Sequence, residues 1–172
     1  MGWMMWNWLA SGLAVGATLV LYDGSPAYPD NNRLFDLADE VGISLFGTSA
    51  GFLTALRKAG VRPRDTHDLS SIRTICSTGS PLAAEGFAYV YDAISVDVAL
   101  TSMSGGTDLC ACLVGGNPNG AIHAGEIQAP TLGLDIDVVD DAGRRCGTEQ
   151  GELVCRSPFP SMPLRFLSLI HI

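Results

Sequence analysis

The stretch Ile72-Arg-Thr-Ile-Cys-Ser-Thr-Gly-Ser-Pro-Leu82 decides the fold class of this chain of 172 residues. Its first half is rich in β-branched and apolar residues, which favours a buried strand, and the Gly-Ser-Pro segment ends that strand in a loop. A helix is predicted next at residues 83–94, and a second strand at residues 96–100. A strand, a helix and a strand in this order are typical of a parallel α/β sheet.

The same alternation continues on the N-terminal side of this stretch. Residues 33–41 carry apolar side chains at the spacing of one helical face, and Gly42 ends the pattern. The other elements predicted here are a strand at residues 17–22, a strand at 43–46 and a helix at 50–59. The sequence therefore predicts an α/β part, a layered parallel sheet with flanking helices, over residues 1–115.

The pattern changes after residue 115. Short predicted strands at residues 126–129, 134–139 and 152–156 are separated by Gly, Asp and Pro residues. Asp140-Asp141-Ala142-Gly143 lies between two of them and is a hairpin signal. We therefore expect part of a small antiparallel β subdomain over residues 116–166.

Composition and charge exclude some classes of partner. The chain has 10 Lys and Arg residues against 18 Asp and Glu, a formal charge of −8, and its single lysine is Lys58. Because nucleic-acid binding needs clustered positive charge, nucleic acid is not an expected partner. The five cysteines are odd in number and match no disulfide or zinc spacing, which indicates small buried residues in a reducing cytoplasm.

The N-terminal segment, residues 3–21, is nearly all apolar and about as long as a membrane span. It lacks flanking positive charge, because no Lys or Arg precedes Arg33. Gly12 and Gly16 also interrupt the apolar run. We therefore predict a buried helix followed by a buried strand, and no membrane anchor.

Two glycine-containing loops follow predicted strands and are the candidates for chemistry. They are Thr78-Gly-Ser-Pro81 and Ser102-Met-Ser-Gly-Gly-Thr-Asp108. In a parallel sheet, ligands bind beyond the carboxyl ends of the strands, where glycine lets the backbone approach a flat ring or a phosphate. A hydroxyl followed by a carboxylate can hold a phosphate and Mg²⁺. Each loop alone is weak evidence, because short glycine loops that only turn the chain are common.

The ordered series of motifs is far more specific than any one loop. The series consists of Gly2-Trp-Met-Met-Trp-Asn-Trp8, Gly16-Ala-Thr-Leu-Val-Leu-Tyr-Asp-Gly24, Phe46-Gly-Thr-Ser-Ala50, Thr78-Gly-Ser-Pro-Leu82, Ser104-Gly-Gly-Thr-Asp108 and Gly151-Glu-Leu-Val154. It resembles the adenylate-forming acyl-CoA synthetases over residues 2–163. Within that superfamily, the first, fourth and fifth motifs are similar to the acetoacetyl-CoA synthetase family.

The resemblance implies an activity and a set of nucleotide-binding residues. The family adenylates acetoacetate with ATP and Mg²⁺ and then transfers the acyl group to coenzyme A. The resemblance places Asp108 on the magnesium ion and Thr107 on the α-phosphate, as catalytic residues. The residues that it places against the adenine or along the nucleotide are Gly79, Ser80, Pro81, Ser102, Met103, Ser104, Gly105 and Gly106, with Thr107. Asp108 departs from the commoner glutamate by one methylene.

The resemblance also implies an acyl pocket, built where Met4, Met5, Thr78 and Gly105 lie. Acetyl-CoA synthetases carry tryptophan at the position aligned with Gly105. Replacing an indole by hydrogen opens the pocket floor, which favours acetoacetate over the shorter acetate. The alternative for the two methionines is plain core packing.

Other conspicuous residues have simpler interpretations. Trp3, Trp6 and Trp8 alternate and are expected to be core residues, because large aromatic side chains dominate buried surface. His67 and His123 have no evident partner and are expected to face solvent.

The sequence contains only part of the family's catalytic residues. No Ser/Thr/Gly-rich phosphate loop that ends in lysine is present, and the context of Lys58 is a helix end. We therefore interpret the chain as an internal fragment that lacks the C-terminal domain of the same protein and has no ligase activity by itself. Residues 167–172 match what a sequencing adapter encodes, and we expect them to be a non-native tail.

Two other functions remain open at this level. The parent protein could be a synthetase for another short acid, namely acetate, propionate or butyrate. The chain could also be a non-catalytic module whose apolar N-terminal segment docks on a membrane or a partner.

Overall fold

The structure, a computed structural model, describes residues 4–164, and their side chains from Trp6 onward. The helices are α1 Met4–Gly12, α2 Arg33–Val41, α3 Ala50–Lys58 and α4 Ala84–Ala93, with short 3-10 helices at Leu13–Val15 and Pro63–Asp65. The strands are β1 Leu45–Ser49, β2 Thr74–Thr78, β3 Ala99–Ser102, β4 Ser104–Gly106, β5 Ala111–Gly115, β6 Ala129–Pro130, β7 Ile136–Val139 and β8 Glu152–Cys155.

The central sheet is parallel, as the alternation of strands and helices predicts. Its order is β1-β2-β3, and both pairings are parallel. Ile75 of β2 stands between Phe46 of β1 and Leu100 of β3 in the register. Each strand begins two or three residues later than the sequence predicts, because strand ends are set by the pairing and not by local composition.

Local signals define the helices around this sheet. The helix predicted at residues 33–41 is confirmed as α2, and Gly42 ends it in the left-handed conformation with φ 71°. The Ser49 side chain caps α3 by accepting a hydrogen bond of 3.1 Å from the Phe52 backbone N–H. Arg57 and Lys58 lie in the last turn of α3, where positive charge offsets the helix dipole.

The core of this part lies between the helices and the sheet. Its fully buried side chains include Phe35, Leu53, Ile75, Phe87 and Leu100. The Phe35 ring stacks on the Phe46 ring at 5.5 Å and on the Phe52 ring at 6.4 Å, between centroids. These aromatic contacts fix α2 and α3 against the first strand.

The chain divides into two compact units. One unit comprises residues 1–20, 105–114 and 130–172, and the other comprises residues 21–104 and 115–129. The parallel sheet lies in the second unit. The described part also contains a sheet of order β4-β5-β6 and an antiparallel pair of β7 with β8. The predicted α/β class, with small antiparallel β structure after the parallel sheet, is confirmed.

The β7–β8 pair contains the predicted turn and explains one glycine of the last motif. The Gly143 N–H donates to the Asp140 carbonyl at 2.9 Å, and Gly143 has φ 75°. A Cβ at Gly151 would collide with the Val139 carbonyl oxygen and stand 2.8 Å from the Cys146 sulfur. Glycine at residue 151 therefore lets the chain enter β8 close against β7.

Three predictions for single elements were wrong. Residues 17–22 form no strand, because within residues 4–164 no neighbouring strand pairs with them. The helix α1 forms, but its described side chains, residues 6–12, are not buried in this chain, and Trp6 is 53 % exposed. The predicted strand at residues 126–129 is reduced to the short β6. Two strands, β4 and β5, are present where none was predicted, and β4 lies within the predicted second loop.

Among the described residues, no helix combines the length and the apolar character that are needed to cross a membrane.

A charged network holds the β7–β8 pair, and its titration gives a testable pH dependence. Arg145 donates a hydrogen bond of 2.5 Å to Asp137, and Arg156 donates a second of 3.0 Å. The Arg145 guanidinium, with Arg156 beside it, holds the pKa of the Asp137 carboxyl below its usual range. A lowered folded-state pKa stabilises the fold above the unfolded pKa of about 4, and this contribution disappears as pH falls through the folded pKa.

We therefore expect Asp137→Asn to lower the free energy of unfolding at about pH 7, and the difference from the parent chain to be smaller at about pH 3, because the contribution of Asp137 declines below the unfolded pKa of about 4 and ends only below the folded pKa. Urea unfolding at both pH values measures this. The control is Asp141→Asn, which removes an exposed carboxylate of the adjacent turn and should follow the parent chain throughout. A difference for Asp137→Asn that is the same at both pH values would contradict the assignment.

Candidate active site

The first glycine loop leaves the carboxyl end of β2, the central strand. Gly79 follows Thr78 directly and has φ 87°, a conformation that other residues adopt only with strain. Ser80 and Pro81 are exposed, while Leu82 is buried and anchors the start of α4. The loop is therefore fixed at both ends and presents a short exposed stretch of backbone between them.

The second predicted loop begins beside the first one. The Met103 N–H donates to the Ser77 carbonyl at 2.9 Å, and the Thr78 hydroxyl donates to the Met103 carbonyl at 3.1 Å. Ser102, the last residue of β3, is buried. Because β2 and β3 are parallel neighbours, the structure brings Thr78, Ser102 and Met103 together at one edge of the sheet.

Ser77 adds a buried hydroxyl at the same edge. The residue has 0 % exposure, and its Oγ has no hydrogen-bond partner among the described residues. Thr78, the next residue, has its hydroxyl satisfied by Met103. The sequence gives no sign of this difference between two adjacent hydroxyl side chains.

The rest of the second motif lies on a β hairpin made by β4 and β5. Its turn, residues 107–110, is closed by hydrogen bonds from the Leu109 N–H to the Gly106 carbonyl at 3.2 Å and from the Cys110 N–H to the Thr107 carbonyl at 3.3 Å. Thr107 and Asp108 are both exposed at the tip. The structure therefore presents the predicted phosphate hydroxyl and the predicted magnesium carboxylate side by side.

Gly105 has a structural reason to be glycine. A Cβ built on it would collide with the Ala111 carbonyl oxygen and would stand 2.7 Å from the Cys112 Cα. Both atoms belong to the backbone of β5, so they cannot move aside unless the strand itself shifts. The absence of a side chain at this position thus serves the close approach of β4 and β5, besides any effect on the width of an acyl pocket.

The residues at the hairpin tip suit a magnesium ion that is shared with a phosphate. Asp108 has no ion-pair partner among residues 6–164, so its oxygens are free to bind a cation. Within the same residues, no group of three or more His, Cys, Asp or Glu side chains could form a metal site by itself. Mg²⁺ is commonly coordinated by one or two carboxylates together with water and phosphate oxygens, and a single carboxylate at Asp108 is compatible with this coordination.

Some residues predicted from the sequence lie outside the part of the chain whose side chains the structure describes. Met4 and Met5 belong to α1, but their side chains are outside the described set. The proposed tail at residues 167–172 also lies outside the described residues.

Sequence reasoning missed two residues that shape these loops. Cys110 has φ 49°, the one positive value recorded for a residue other than glycine in the described part. Gln128 holds residues 117–121 in place, because its amide accepts from the Asn117 N–H and donates to the carbonyls of Asn117, Gly120 and Ala121. Neither residue type signals such a role in sequence, since both depend on contacts that only the fold creates.

The prediction for His67 was wrong. The side chain is 9 % exposed, and its Nε2 lies 2.9 Å from Asp36 Oδ1. Its Nδ1 lies 3.1 Å from the Pro63 carbonyl oxygen. His67 is therefore a structural link between α2 and the 3-10 helix Pro63–Asp65, and the 31-residue separation from Asp36 hides this link from sequence patterns.

A shallow cleft opens at the opposite edge of the parallel sheet. Its volume is about 290 Å³. The residues that line it lie in or after the 3-10 helix Pro63–Asp65, before β2, or between α4 and β3. They are Arg64, His67, Leu69, Ser70, Ile72, Ile94, Ser95, Val96 and Asp97. This is the amino edge, where ligands of parallel sheets do not usually bind. None of the predicted site residues lines it.

Comparison with known proteins identifies the family. Residues 1–163 match the model of the family described as AMP-binding enzyme. The chain belongs to the AMP-binding enzyme family. This match includes both glycine loops, the β4–β5 hairpin and the Gly-Glu-Leu motif.

Relatives of this AMP-binding chain include acetoacetyl-CoA synthetases. The acetoacetyl-coenzyme A synthetase of Rhizobium meliloti (strain 1021) is 59 % identical over 165 residues, which is 96 % of this chain and 25 % of the relative. The acetoacetyl-CoA synthetase of Mus musculus is 48 % identical over the same shares of both chains. The resemblance inferred from the motifs is confirmed, and the chain spans about a quarter of the length of these curated relatives.

Solved structures agree with this family. The acetoacetyl-CoA synthetase from Streptomyces lividans superposes with a TM-score of 0.91 at 47 % identity, over 98 % of this AMP-binding chain and 26 % of that chain. The anthranilate CoA ligase AuaEII, in complex with anthranoyl-AMP, superposes with a TM-score of 0.71 at 23 % identity, over 84 % of this chain and 27 % of that one. The second comparison supports the fold alone.

The Thr78 hydroxyl gives a direct test of how the two loops are joined. Thr78→Val keeps the shape of the side chain and removes the donor to the Met103 carbonyl. We expect the free energy of unfolding in urea to fall by about 1 kcal/mol, the net contribution of one such hydrogen bond. Thr78→Ser retains the hydroxyl and should stay closer to the parent chain. A Thr78→Val variant as stable as the parent chain would show that this hydrogen bond does not stabilise the junction of the two loops.

Proposed function

We propose that this chain is part of an ATP-dependent acid–thiol ligase that adenylates acetoacetate and transfers it to coenzyme A. The observation that carries the proposal is the 59 % identity to an acetoacetyl-coenzyme A synthetase over 96 % of the chain. The arrangement of the loops supports it, because both leave the edge of a parallel sheet at which nucleotides commonly bind.

The nucleotide contacts are assigned to the two loops and the hairpin. Gly79, Ser80 and Pro81 pack against the adenine, which the exposed, glycine-bent backbone of this loop accommodates. The segment from Ser102 through Met103, Ser104 and Gly105 to Gly106 runs along the nucleotide. The Thr107 hydroxyl donates to an α-phosphate oxygen, and the Asp108 carboxylate holds Mg²⁺, directly or through a water molecule.

The reaction has two displacements, and this chain contributes positioning to the first. A carboxylate oxygen of acetoacetate attacks the α-phosphorus of ATP, and pyrophosphate leaves; the thiol of coenzyme A then attacks the acyl carbon, and AMP leaves. Asp108 would hold Mg²⁺, which when bound would supply positive charge to the phosphates. Thr107 and the loop backbones orient the α-phosphate, so that the two reacting anions meet in line.

Acid selection is assigned to Met4, Met5, Thr78 and Gly105. The side chain of Thr78 is half-buried and its hydroxyl is already engaged with Met103, so the methyl group is the part left for contact with an acid. Gly105 offers only hydrogen and backbone. We propose acetoacetate as the preferred acid, with acetate, propionate and butyrate as competitors to be measured.

The complete ligase needs groups that these 172 residues do not supply. Lys58 lies in the last turn of α3, where its charge offsets the helix dipole, and we assign it no phosphate contact. We assign the remaining lysine chemistry and the closing motion to the C-terminal domain of the same protein. We place the protein in the cytoplasm, where cysteines stay reduced, because the cysteines of the described part form no disulfide.

A chimeric enzyme tests the proposal. Residues 1–163 of this chain replace the matching quarter of the Rhizobium meliloti synthetase, and acid-dependent release of pyrophosphate is measured with acetoacetate, acetate, propionate and butyrate. We expect turnover with acetoacetate at the highest kcat/KM. In the chimera, Asp108→Asn should lower kcat by about 100-fold, the scale of losing one electrostatic contact to the transition state.

Asp141→Asn is the matched control, since it makes the same change at an exposed carboxylate outside the loops. It should leave kcat unchanged. A folded chimera that adenylates none of the four acids would overturn the proposed function. Highest kcat/KM with acetate, propionate or butyrate would overturn the assignment of acetoacetate, and an Asp108→Asn variant as active as Asp141→Asn would overturn the role of Asp108.

A further inference from the structure

The turn between β4 and β5 contains an unusual backbone conformation at Cys110. Its φ of 49° lies in the left-handed region, where residues other than glycine, asparagine and aspartate are uncommon. The residue stands directly before β5 and two positions after Asp108. The conformation at this point decides how the chain returns from the tip into the second strand.

The two ends of the hairpin are constrained by backbone contacts. At β4, Gly105 lies so close to Ala111 and Cys112 that no Cβ fits between them. At the turn, the Cys110 N–H reaches back to the Thr107 carbonyl at 3.3 Å. Four residues therefore connect two strands at a fixed short distance, and a left-handed residue at the last position closes the turn.

The side chains at the tip have no support of their own. Neither Thr107 nor Asp108 has a side-chain hydrogen bond or ion pair within the described residues. Both are exposed, so packing does not hold them either. The backbone of the turn is therefore what sets the positions from which the hydroxyl and the carboxylate act.

We infer that Cys110 is a positioning residue for Thr107 and Asp108, and that it acts through its left-handed backbone and not through its thiol. The inference rests on the proposed function, which gives Thr107 the α-phosphate and Asp108 the magnesium ion. A residue that resists positive φ should open the turn and displace both side chains. A residue that accepts positive φ should leave them in place, whatever its side chain.

A set of substitutions separates the backbone from the thiol. Cys110→Gly and Cys110→Asn accept the left-handed conformation and lack the thiol. Cys110→Ala lacks the thiol and keeps the backbone preference of an ordinary residue. Cys110→Val is β-branched and disfavours positive φ strongly. Cys155→Val is the matched control, because it makes the same change within the extended strand β8.

The substitutions are read out in two ways. In the chimeric enzyme, we expect Cys110→Val to lower kcat about ten-fold or more, which corresponds to about 1.4 kcal/mol of backbone strain. The same variant should need a higher Mg²⁺ concentration to reach its half-maximal rate. The Gly, Asn and Ala variants should stay within about three-fold of the parent. In the 172-residue chain, amide hydrogen exchange at residues 109 and 110 should accelerate in Cys110→Val only, because these two N–H groups close the turn.

Each outcome decides between the alternatives. Equal losses in the Gly, Asn, Ala and Val variants would show that the thiol matters, and would overturn the inference. Parent-like kcat and exchange in Cys110→Val would overturn it as well. If the parent chimera adenylates no acid, the proposed function is wrong, and Cys110 then has no catalytic residues to position. The exchange rates still show in that case whether the backbone of Cys110 closes the turn.

Discussion

The juxtaposition of the two glycine loops depends on the parallel pairing of β2 with the strands on its two sides. That pairing brings the ends of β2 and β3 to one edge, where the Met103 N–H meets the Ser77 carbonyl and the Thr78 hydroxyl meets the Met103 carbonyl. Two loops that are 24 residues apart in sequence thus begin within hydrogen-bond contact of each other. The buried core under α2, α3 and α4 holds the sheet that makes this contact possible.

Close backbone approach explains why the motifs contain the residues that they do. Gly79 bends the first loop at φ 87°, Gly105 lets β5 pass β4, and Gly151 lets β8 pass β7. These positions require glycine for reasons of backbone geometry, independently of any ligand. A tryptophan at residue 105 would need β4 and β5 to separate, because even a Cβ there would collide with the backbone of Ala111 and Cys112.

Local signals in the sequence predicted the helices well, and the contacts between distant segments were predicted poorly. The helix at residues 33–41 and its end at Gly42 follow from apolar spacing and a glycine, which act within a few residues. The absent strand at residues 17–22 needed a pairing partner, and composition alone cannot show whether one is present. The two loops were found from motif order, whereas the left-handed Cys110 and the His67–Asp36 contact arise only from the fold.

The most direct test of the central claim is a crystal structure of the chimeric enzyme with AMP bound. We expect the adenine to pack on the backbone of Gly79, Ser80 and Pro81, beyond the carboxyl end of β2. An adenine bound in the cleft at the amino edge, near Ser70 and Val96, or anywhere else away from the Gly79 loop, would contradict it.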